Sequence, residues 1–512
     1  MLEDYELFLY CPTAPNQQDK LVGTLNRLWT RSRFCDIVHF IMLREGAFVK
    51  GKSSAYDLTQ GSIIKGLVGF AVPFFLGQLL QQLYNTADAW VIGNFADETS
   101  LAGVSSVGSL IFLIVGFFNG ISVGGGVVIS KYFGMRDREC VGRSVHGNFL
   151  FGLLASAVAT VIGVLLAPLL LDLMSTPEIV KPKALEYIRI YFAGISTVVM
   201  YNICMSIMRA LGDSIHPLYY LIVSSLTNVV LDLLFVAVFH WDVAGAAIAT
   251  VLGQGLSCVL CIIRMCRSGE DPKLNFRKLK FDGPILKEIL VNGLPTGIQN
   301  SVISIGNMTI QGNINMFDIA HEGGLGLVIA GQGAYTKIEG FVFLPITCMS
   351  MSLPTFISQN LGAKQYDRAK KGAVFGILCG VILAELLGVV MHFGADLAVG
   401  FFTDAPVAIR YGSIHARTVC WFYCLLAFSH CASGVLRGCG KSAIPMISML
   451  SFWCVFRVIY VTVAIRLIPE YNTIAWAYPI TWTLSSILLA VVLLKSDWVH
   501  GLEKQRSGVR RV

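Results

Sequence analysis

Long apolar stretches alternate with short polar connections from Ile63 to about Lys495. Each stretch reaches the length of roughly 20 residues that an α-helix needs to cross a bilayer. We therefore expect an all-α fold, a polytopic membrane protein with twelve transmembrane helices. The pattern places them at roughly 62–90, 101–127, 143–170, 185–208, 217–239, 243–265, 285–316, 325–352, 371–399, 411–435, 443–467 and 472–495.

The composition agrees with a lipid environment. Of the 512 residues, 55% are hydrophobic and only 14% are charged, whereas about a quarter of a soluble domain is charged. The net charge of +7 comes from basic residues spread over short connections, so it indicates topology and not a nucleic-acid partner.

Lysine and arginine concentrate in alternate connections, at 131–143, 209, 267–280, 364–371 and 437–441, and in the tail through Arg511. The opposite connections hold little beyond Lys181, Lys183 and Arg410. Because basic loops stay on the cytoplasmic side, we expect both termini to be cytoplasmic, in a multi-pass protein of the cell (inner) membrane.

Residues 1–56 do not follow this pattern. They mix charge, proline and asparagine without a spanning run, and they lack the order of regions typical of a signal peptide. We expect a disordered extension or a mis-assigned start. Met42 is a plausible true start, which would leave residues 1–41 untranslated, because the regular pattern begins shortly after it at Asp57.

The two halves resemble each other when shifted by a little over two hundred residues. The matching segments are 63–73 with 285–295, 129–134 with 357–362, and 209–212 with 437–440. An even number of helices per repeat predicts two six-helix lobes related by a pseudo-two-fold axis along the membrane normal, with a cavity between them. The predicted division is an N-terminal lobe at 57–265, a cytoplasmic linker at 266–283, a C-terminal lobe at 284–495 and a cytoplasmic tail at 496–512.

Two aspartates within apolar spans are the strongest candidates for chemistry, because an intramembrane acid should face the bundle interior. Asp88 continues a polar stripe that includes Gln81, and Asp232 follows Asn228 by one turn. Burial disfavours the charged form of a carboxylate, which permits proton exchange near neutral pH, and such a site suits sodium equally. The alternative is an inward polar residue that only bonds a neighbouring helix.

The second half has no such acid pair, since Ile310 and Tyr460 occupy the matching positions. The sequence therefore predicts that cation coupling belongs to the N-terminal lobe. Further polar residues fit either a hydrated pocket or helix packing in the first half, and either ion pairing or substrate contact in the second. They are Asn202, Ser206, Arg209, Thr250 and Gln254, and then Lys337, Glu339, Glu385, Arg417 and Arg457.

Enzyme-like motifs are present but lie in the wrong context. Gly120-Ile-Ser-Val-Gly124 has the spacing of a nucleophile elbow inside a glycine-rich helix, and Cys258-Val-Leu-Cys261 has redox spacing inside a spanning helix. Gly440-Lys-Ser442 lacks the upstream glycine of a phosphate-binding loop. We therefore expect no enzyme, no catalytic residues and no cofactor.

From Asp57 to about Lys495 the chain resembles the multidrug and toxic compound extrusion (MATE) transporters. Four segments carry the resemblance: Pro73 with Gln81-Gln-Leu-Tyr-Asn-Thr-Ala-Asp88, Ser130-Lys-Tyr-Phe-Gly134, Arg209-Ala-Leu-Gly-Asp213 before Pro217, and Asn228-Val-Val-Leu-Asp232. The resemblance implies antiport of amphipathic molecules and organic cations against H+ or Na+, through a central cleft that opens to either side in turn.

The resemblance also implies site residues. Its N-lobe cation site corresponds to Asp88, Asp232, Asn228 and Thr250, with Gln81 and Asn202 as neighbours, and Pro73 would kink the first helix. The rival is a flippase for a lipid-linked saccharide, which fourteen spans and a strongly cationic central cavity would favour; the sequence shows neither. We expect the protein to work as a monomer.

Overall fold

The computed structural model describes residues 57–174, 176–267, 273–321 and 325–500. The predicted extension at 1–56, with Met42, and the end of the tail lie outside this range. Within the described residues the chain forms helices and no strand, so the prediction of an all-α fold is confirmed. The N-terminal lobe contains α1 (Ile63–Phe95), α2 (Glu98–Gly134), α3 (Arg138–Leu173), α4 (Lys181–Ala193 and Ile195–Ala210), α5 (Ile215–Val238) and α6 (Asp242–Arg267). The C-terminal lobe contains α7 (Gly283–His321), α8 (Leu327–Gly362), α9 (Tyr366–Gly400), α10 (Pro406–Gly438), α11 (Ala443–Leu467) and α12 (Tyr471–Lys495).

Ten of these helices are long and apolar enough to cross a membrane, and the bent pair that forms α4 would make eleven. The twelfth, α7, is long enough but more polar, because it carries amides and hydroxyls at Asn292, Thr296, Gln299 and Asn300. These side chains are buried or half-buried against the other lobe or the space between the lobes. A helix enclosed by protein does not need an apolar surface all round.

Several helices depart from regular α geometry within the bundle. The two parts of α4 meet at Gly194 with a bend of 48°. In α5 a π-helical segment, Leu233–Val238, begins directly after Asp232, and in α11 the π-helical segment Leu450–Phe456 ends directly before Arg457. Such segments re-aim side chains and are frequent at functional sites.

Glycines allow α2 and α7 to pack backbone against backbone. A Cβ atom at Gly120 or Gly124 would overlap the backbone of α7 at Gly297 or Gly293. Close approach of this kind is how small residues join helices in membranes. The nucleophile-like spacing around Ser122 is therefore a packing motif that joins the two lobes.

The lobes also meet at the end of the bundle that carries the basic connections, which we call the basic end. Lys131 on α2 forms a buried ion pair with Glu288 on α7, with Nζ and Oε1 3.0 Å apart. Beside it, Gln359 on α8 donates from Nε2 to the carbonyl of Ala210 at 3.0 Å. The cavity between the lobes is thus closed at the basic end.

The two lobes end their equivalent helices in the same way. Gly212 and Gly440 have φ of +91° and +79°, a conformation that glycine adopts without strain. Their amides donate to the carbonyls of Arg209 and Arg437, each at 2.9 Å. This repetition agrees with the duplication predicted from sequence, and it fixes the two arginines at matching places.

Candidate functional site

The two predicted aspartates meet in the core of the N-terminal lobe. Asp232 lies at the end of the regular part of α5 and is fully buried, with 0% exposure. Asp88 lies on α1, which packs against α5, and its carboxyl group is close enough to that of Asp232 for the two charges to interact. The sequence thus predicted a pair that the fold brings together.

This acid pair has buried polar atoms without partners among the described residues. In the pair these atoms are Oδ1 and Oδ2 of Asp232 and Oδ1 of Asp88. The amide oxygen and nitrogen of Asn228, one turn before Asp232, are buried without partners as well, within the part of the chain that the structure describes. Two ionised carboxylates are acceptors only and repel each other, so they cannot satisfy each other. A proton shared by the carboxyls, or a hard cation held by their oxygens, would satisfy the group. We call Asp88, Asn228 and Asp232 the acid cluster.

Tyrosines lie near the acid cluster, and two of them, Tyr84 and Tyr191, also line the space between the lobes. Tyr84 lies one turn before Asp88 and interacts electrostatically with the carboxylates of Asp88 and Asp232. Its hydroxyl is 3.5 Å from Nε2 of Gln254. Tyr187 and Tyr191 on α4 stack with ring centroids 6.3 Å apart. Sequence analysis did not single out Tyr187 and Tyr191, because buried tyrosines are also ordinary packing residues.

A cleft of about 470 Å³ lies between the lobes. It is lined by α1, α2, α4 and α6 of one lobe and by α7, α8 and α10 of the other. Thr250, predicted as part of the cation site, lines this cleft, and so do its predicted neighbours Gln81 and Asn202. Within their own helices, Asn202 donates a hydrogen bond to the carbonyl of Val198 and Thr250 donates one to the carbonyl of Ala246. Of the predicted cation-site residues, only Asp88, Asn228 and Asp232 belong to the acid cluster.

The helix α1 runs on as a helix through Pro73. Proline has no N–H, so the carbonyl of Gly69 lacks its helical donor at this point. The next residue, Phe74, lines the cleft, and the guanidinium of Arg209 lies over its ring. The distance from Cζ of Arg209 to the centroid of the Phe74 ring is 3.8 Å. Pro73 is therefore next to the cleft, and its role as a kink stays a prediction.

The candidate residues of the second half lie apart from the cleft lining. Arg417 pairs with Asp396 at 2.7 Å where both side chains are exposed, and Glu385 accepts from the amide of Cys424 at 3.3 Å. Glu339 accepts from the hydroxyl of Tyr335 at 2.6 Å. These contacts favour structural roles over contact with a substrate.

Arg457, another candidate of the second half, is buried with 2% exposure. Its guanidinium donates to Oγ1 of Thr481 at 2.7 Å and lies over the rings of Trp453 and Tyr478. Its charge also interacts with that of Glu339. Arg457 is therefore a buried arginine whose partners are supplied by the fold.

The positions that match the acid pair are filled differently in the C-terminal lobe. Ile310 is buried in an apolar cluster with Ile314 and Val461, and Tyr460 packs against that cluster. The structure thus places the unpartnered acids in the N-terminal lobe, as the comparison of the repeats predicted.

The sequence shows no strongly cationic central cavity, but the fold brings basic side chains into the cleft. Arg209 and Arg437 both line the cleft, together with His430, and no Asp or Glu is among the described lining residues. In the sequence, Arg437 belongs to the basic connection at 437–441. Its position at the end of α10 turns it back towards the cleft instead.

A two-lobed bundle of membrane-spanning helices around a polar cleft is an architecture typical of membrane transporters. The MatE family model matches residues 73–234 and 304–463, together more than half of the chain. The chain therefore belongs to the MatE family, and the resemblance seen in the sequence is confirmed.

Known proteins resemble the chain over most of its length. Probable multidrug resistance protein YpnP of Bacillus subtilis is 28% identical over 78% of this chain and 88% of its own. A MATE family transporter of the MOP superfamily, solved in an outward-facing conformation, has a TM-score of 0.79 and 20% identity over 89% of this chain and 98% of its own. A MOP superfamily transporter from Pyrococcus furiosus, described as having a binding pocket of reverse polarity, has a TM-score of 0.76 and 21% identity over the same shares.

Proposed function

We propose that the protein is a secondary antiporter that exports small amphipathic compounds in exchange for H+ or Na+. The acid cluster carries this proposal, because its buried oxygens have no donor within the described residues and need a proton or a cation. Export of several compounds is in keeping with relatives named for multidrug resistance and multidrug export, such as MepA of Staphylococcus haemolyticus.

The coupling follows from alternating access. The acid cluster lies on α1 and α5, while the cleft is shared by both lobes. Coupling requires that the coupling ion and the exported compound favour different arrangements of the lobes. The ion is a transported substrate in this scheme, so the protein needs no resident cofactor. We place it in the cell membrane with the basic end and both termini in the cytoplasm.

The test is dye transport in proteoliposomes under an imposed proton gradient and then a sodium gradient. Carboxyfluorescein and rhodamine 123 serve as probes, because they share a ring system and differ in charge. Asp88→Asn and Asp232→Asn keep the side-chain shape but cannot ionise. We expect each to lower gradient-driven transport at least tenfold, while Asp97→Asn, an exposed aspartate before α2, leaves it unchanged. Gradient-driven transport at parental rates in both variants would overturn the proposal.

A further inference from the structure

Arg209 and Arg437 are matching residues of the two repeats, and both line the central cleft. Each lies in the last turn of its helix, α4 and α10. The carbonyls at a helix C-terminus favour a cation, which helps these positions to hold a charge away from water. The cleft thus receives one guanidinium from each lobe.

Neither arginine has a counter-charge. Within the described residues neither makes an ion pair, and Nε of each is buried without an acceptor. Arg437 is 3% exposed and makes one long contact, from Nη2 to Oγ of Ser350 at 3.5 Å. Arg209 lies over the ring of Phe74. The buried Arg437 and the half-buried Arg209 thus each keep guanidinium donors that no described residue accepts.

Arg457 shows how this fold satisfies an arginine that has a structural role. It has a hydroxyl acceptor, two aromatic rings and a nearby acid, and it lies outside the cleft. Arg209 and Arg437 lack such a set although they face a space large enough for a ligand. A charge held largely out of water without an acceptor is unfavourable, so an acceptor that enters the cleft would complete the hydrogen bonding of these two groups.

We propose that the cleft binds amphipathic anions, with a carboxylate, sulfonate or phosphate group held by Arg209 and Arg437. The planar fork of a guanidinium matches such oxyanions with paired hydrogen bonds. The apolar body of the ligand would lie against Phe112, Ile303 and Met351, which line the same cleft. This narrows the substrate class of the proposed antiporter and rests on that function. It departs from the organic cations that the resemblance implies, for which the described lining offers no acid.

The exchange of an exported anion for an inward H+ or Na+ would move net positive charge inward in every cycle. Export of a monovalent organic cation against one such ion would move none. Transport of carboxyfluorescein should therefore depend on an imposed membrane potential, with an inside-negative potential driving export. Transport that is insensitive to the potential would contradict anion-for-cation exchange.

Binding of the dyes to the purified full chain in nanodiscs tests the proposal directly. We expect fluorescence anisotropy to show binding of carboxyfluorescein in preference to rhodamine 123. Arg209→Gln and Arg437→Gln should each weaken it on the order of 10- to 100-fold, as for the loss of a charge-assisted hydrogen bond. Arg437→Lys keeps the charge and should retain part of the affinity. Arg466→Gln, at an exposed position of α11, is the matched control.

The outcomes separate this inference from the proposed function. Binding of the anion without gradient-driven transport would support the inference while the antiporter fails. Gradient-driven transport of rhodamine 123 alone, unchanged in Arg209→Gln and Arg437→Gln, would overturn the inference and leave the antiporter. If a glutamine variant does not fold, as judged by size exclusion, the lysine variant at the same position replaces it in the binding test. Equal affinity for both dyes in the parent and in that lysine variant would also overturn the inference.

Competition distinguishes two sources of the anion. Displacement of carboxyfluorescein by naproxen, a soluble aromatic carboxylate, supports a soluble ligand. Displacement by farnesyl phosphate instead supports a lipid-borne phosphate, the chemistry of the rival flippase. Displacement by neither would overturn the proposed site.

Discussion

Asn228 and Asp232 lie one turn apart on α5, and both are buried to within 2% exposure. Neither side chain has a hydrogen-bond partner among the described residues. Each buried polar group without a partner costs about 1–3 kcal/mol. Under the proposed function, loading of a proton or a cation would remove part of this cost, and this gain would favour ion binding at the acid cluster.

Replacement of Asn228 by alanine should weaken ion loading without removing the acids. We expect the H+ or Na+ concentration for half-maximal dye transport to rise by about tenfold, since one hydrogen-bonding group to a charged site is lost. Proteoliposome transport at graded pH or sodium measures it. Thr227→Ala is the control, because that hydroxyl bonds the carbonyl of Val223 within α5. Equal half-maximal concentrations in Asn228→Ala and the parent would contradict the role of the amide.

The acids could be predicted from sequence because an ionisable side chain within an apolar span has to face the bundle interior. Arg437 could not be predicted in the same way. It stands next to the basic connection that contains Lys441, and the pattern does not tell whether an arginine at a helix end faces the loop or the cleft. The turn at Gly440 settles its direction, and only the folded chain shows that its neighbours include no acid.

At the scale of helices, the order of the twelve elements follows from hydropathy, while their ends do not. The pattern predicted 325–352 for the helix that runs from Leu327 to Gly362, because the apolar signal stops at the bilayer edge while backbone hydrogen bonding continues. The π-helical segments of α5 and α11 were also missed, since no residue type marks them. Their positions depend on how each helix packs against its neighbours.

Substitution of Gly124 by leucine should separate α2 from α7. The added side chain would overlap the backbone at Gly293, and overpacking of this kind costs about 1–3 kcal/mol. We expect a lower melting temperature of the protein in detergent and a smaller monodisperse fraction by size exclusion. Gly108→Leu on the same helix is the control, because a Cβ atom there meets no neighbour within 4 Å. Equal melting temperatures of the two variants would contradict the close crossing.

At the scale of the whole molecule, the segment before the first helix of each repeat is bound by a side chain of the other lobe. The guanidinium of Arg368 donates to the carbonyls of Leu58 and Gly61 before α1, at 3.0 and 2.7 Å. Asp282, directly before α7, forms an ion pair with Arg143 on α3. Because these exchanged contacts lie at the basic end, an opening of the cleft on that side requires that they separate. These contacts therefore help to hold the two lobes together at the basic end.

The ion pair of Lys131 and Glu288 is the most enclosed of these contacts, with side-chain exposures of 2% and 10%. Glu288→Gln leaves Lys131 charged and uncompensated while the lobes stay together, and removal of one partner of a buried pair costs about 3–5 kcal/mol. That cost falls on the closed basic end, since Lys131 would gain water once the lobes part. We therefore expect Glu288→Gln to raise hydrogen exchange, measured by mass spectrometry, in peptides that cover 129–134 and 357–362. Glu139→Gln removes an exposed acid 4.0 Å from Arg143 and should leave both peptides unchanged. If exchange in Glu288→Gln matches that of Glu139→Gln at both peptides, the pair does not hold the basic end closed.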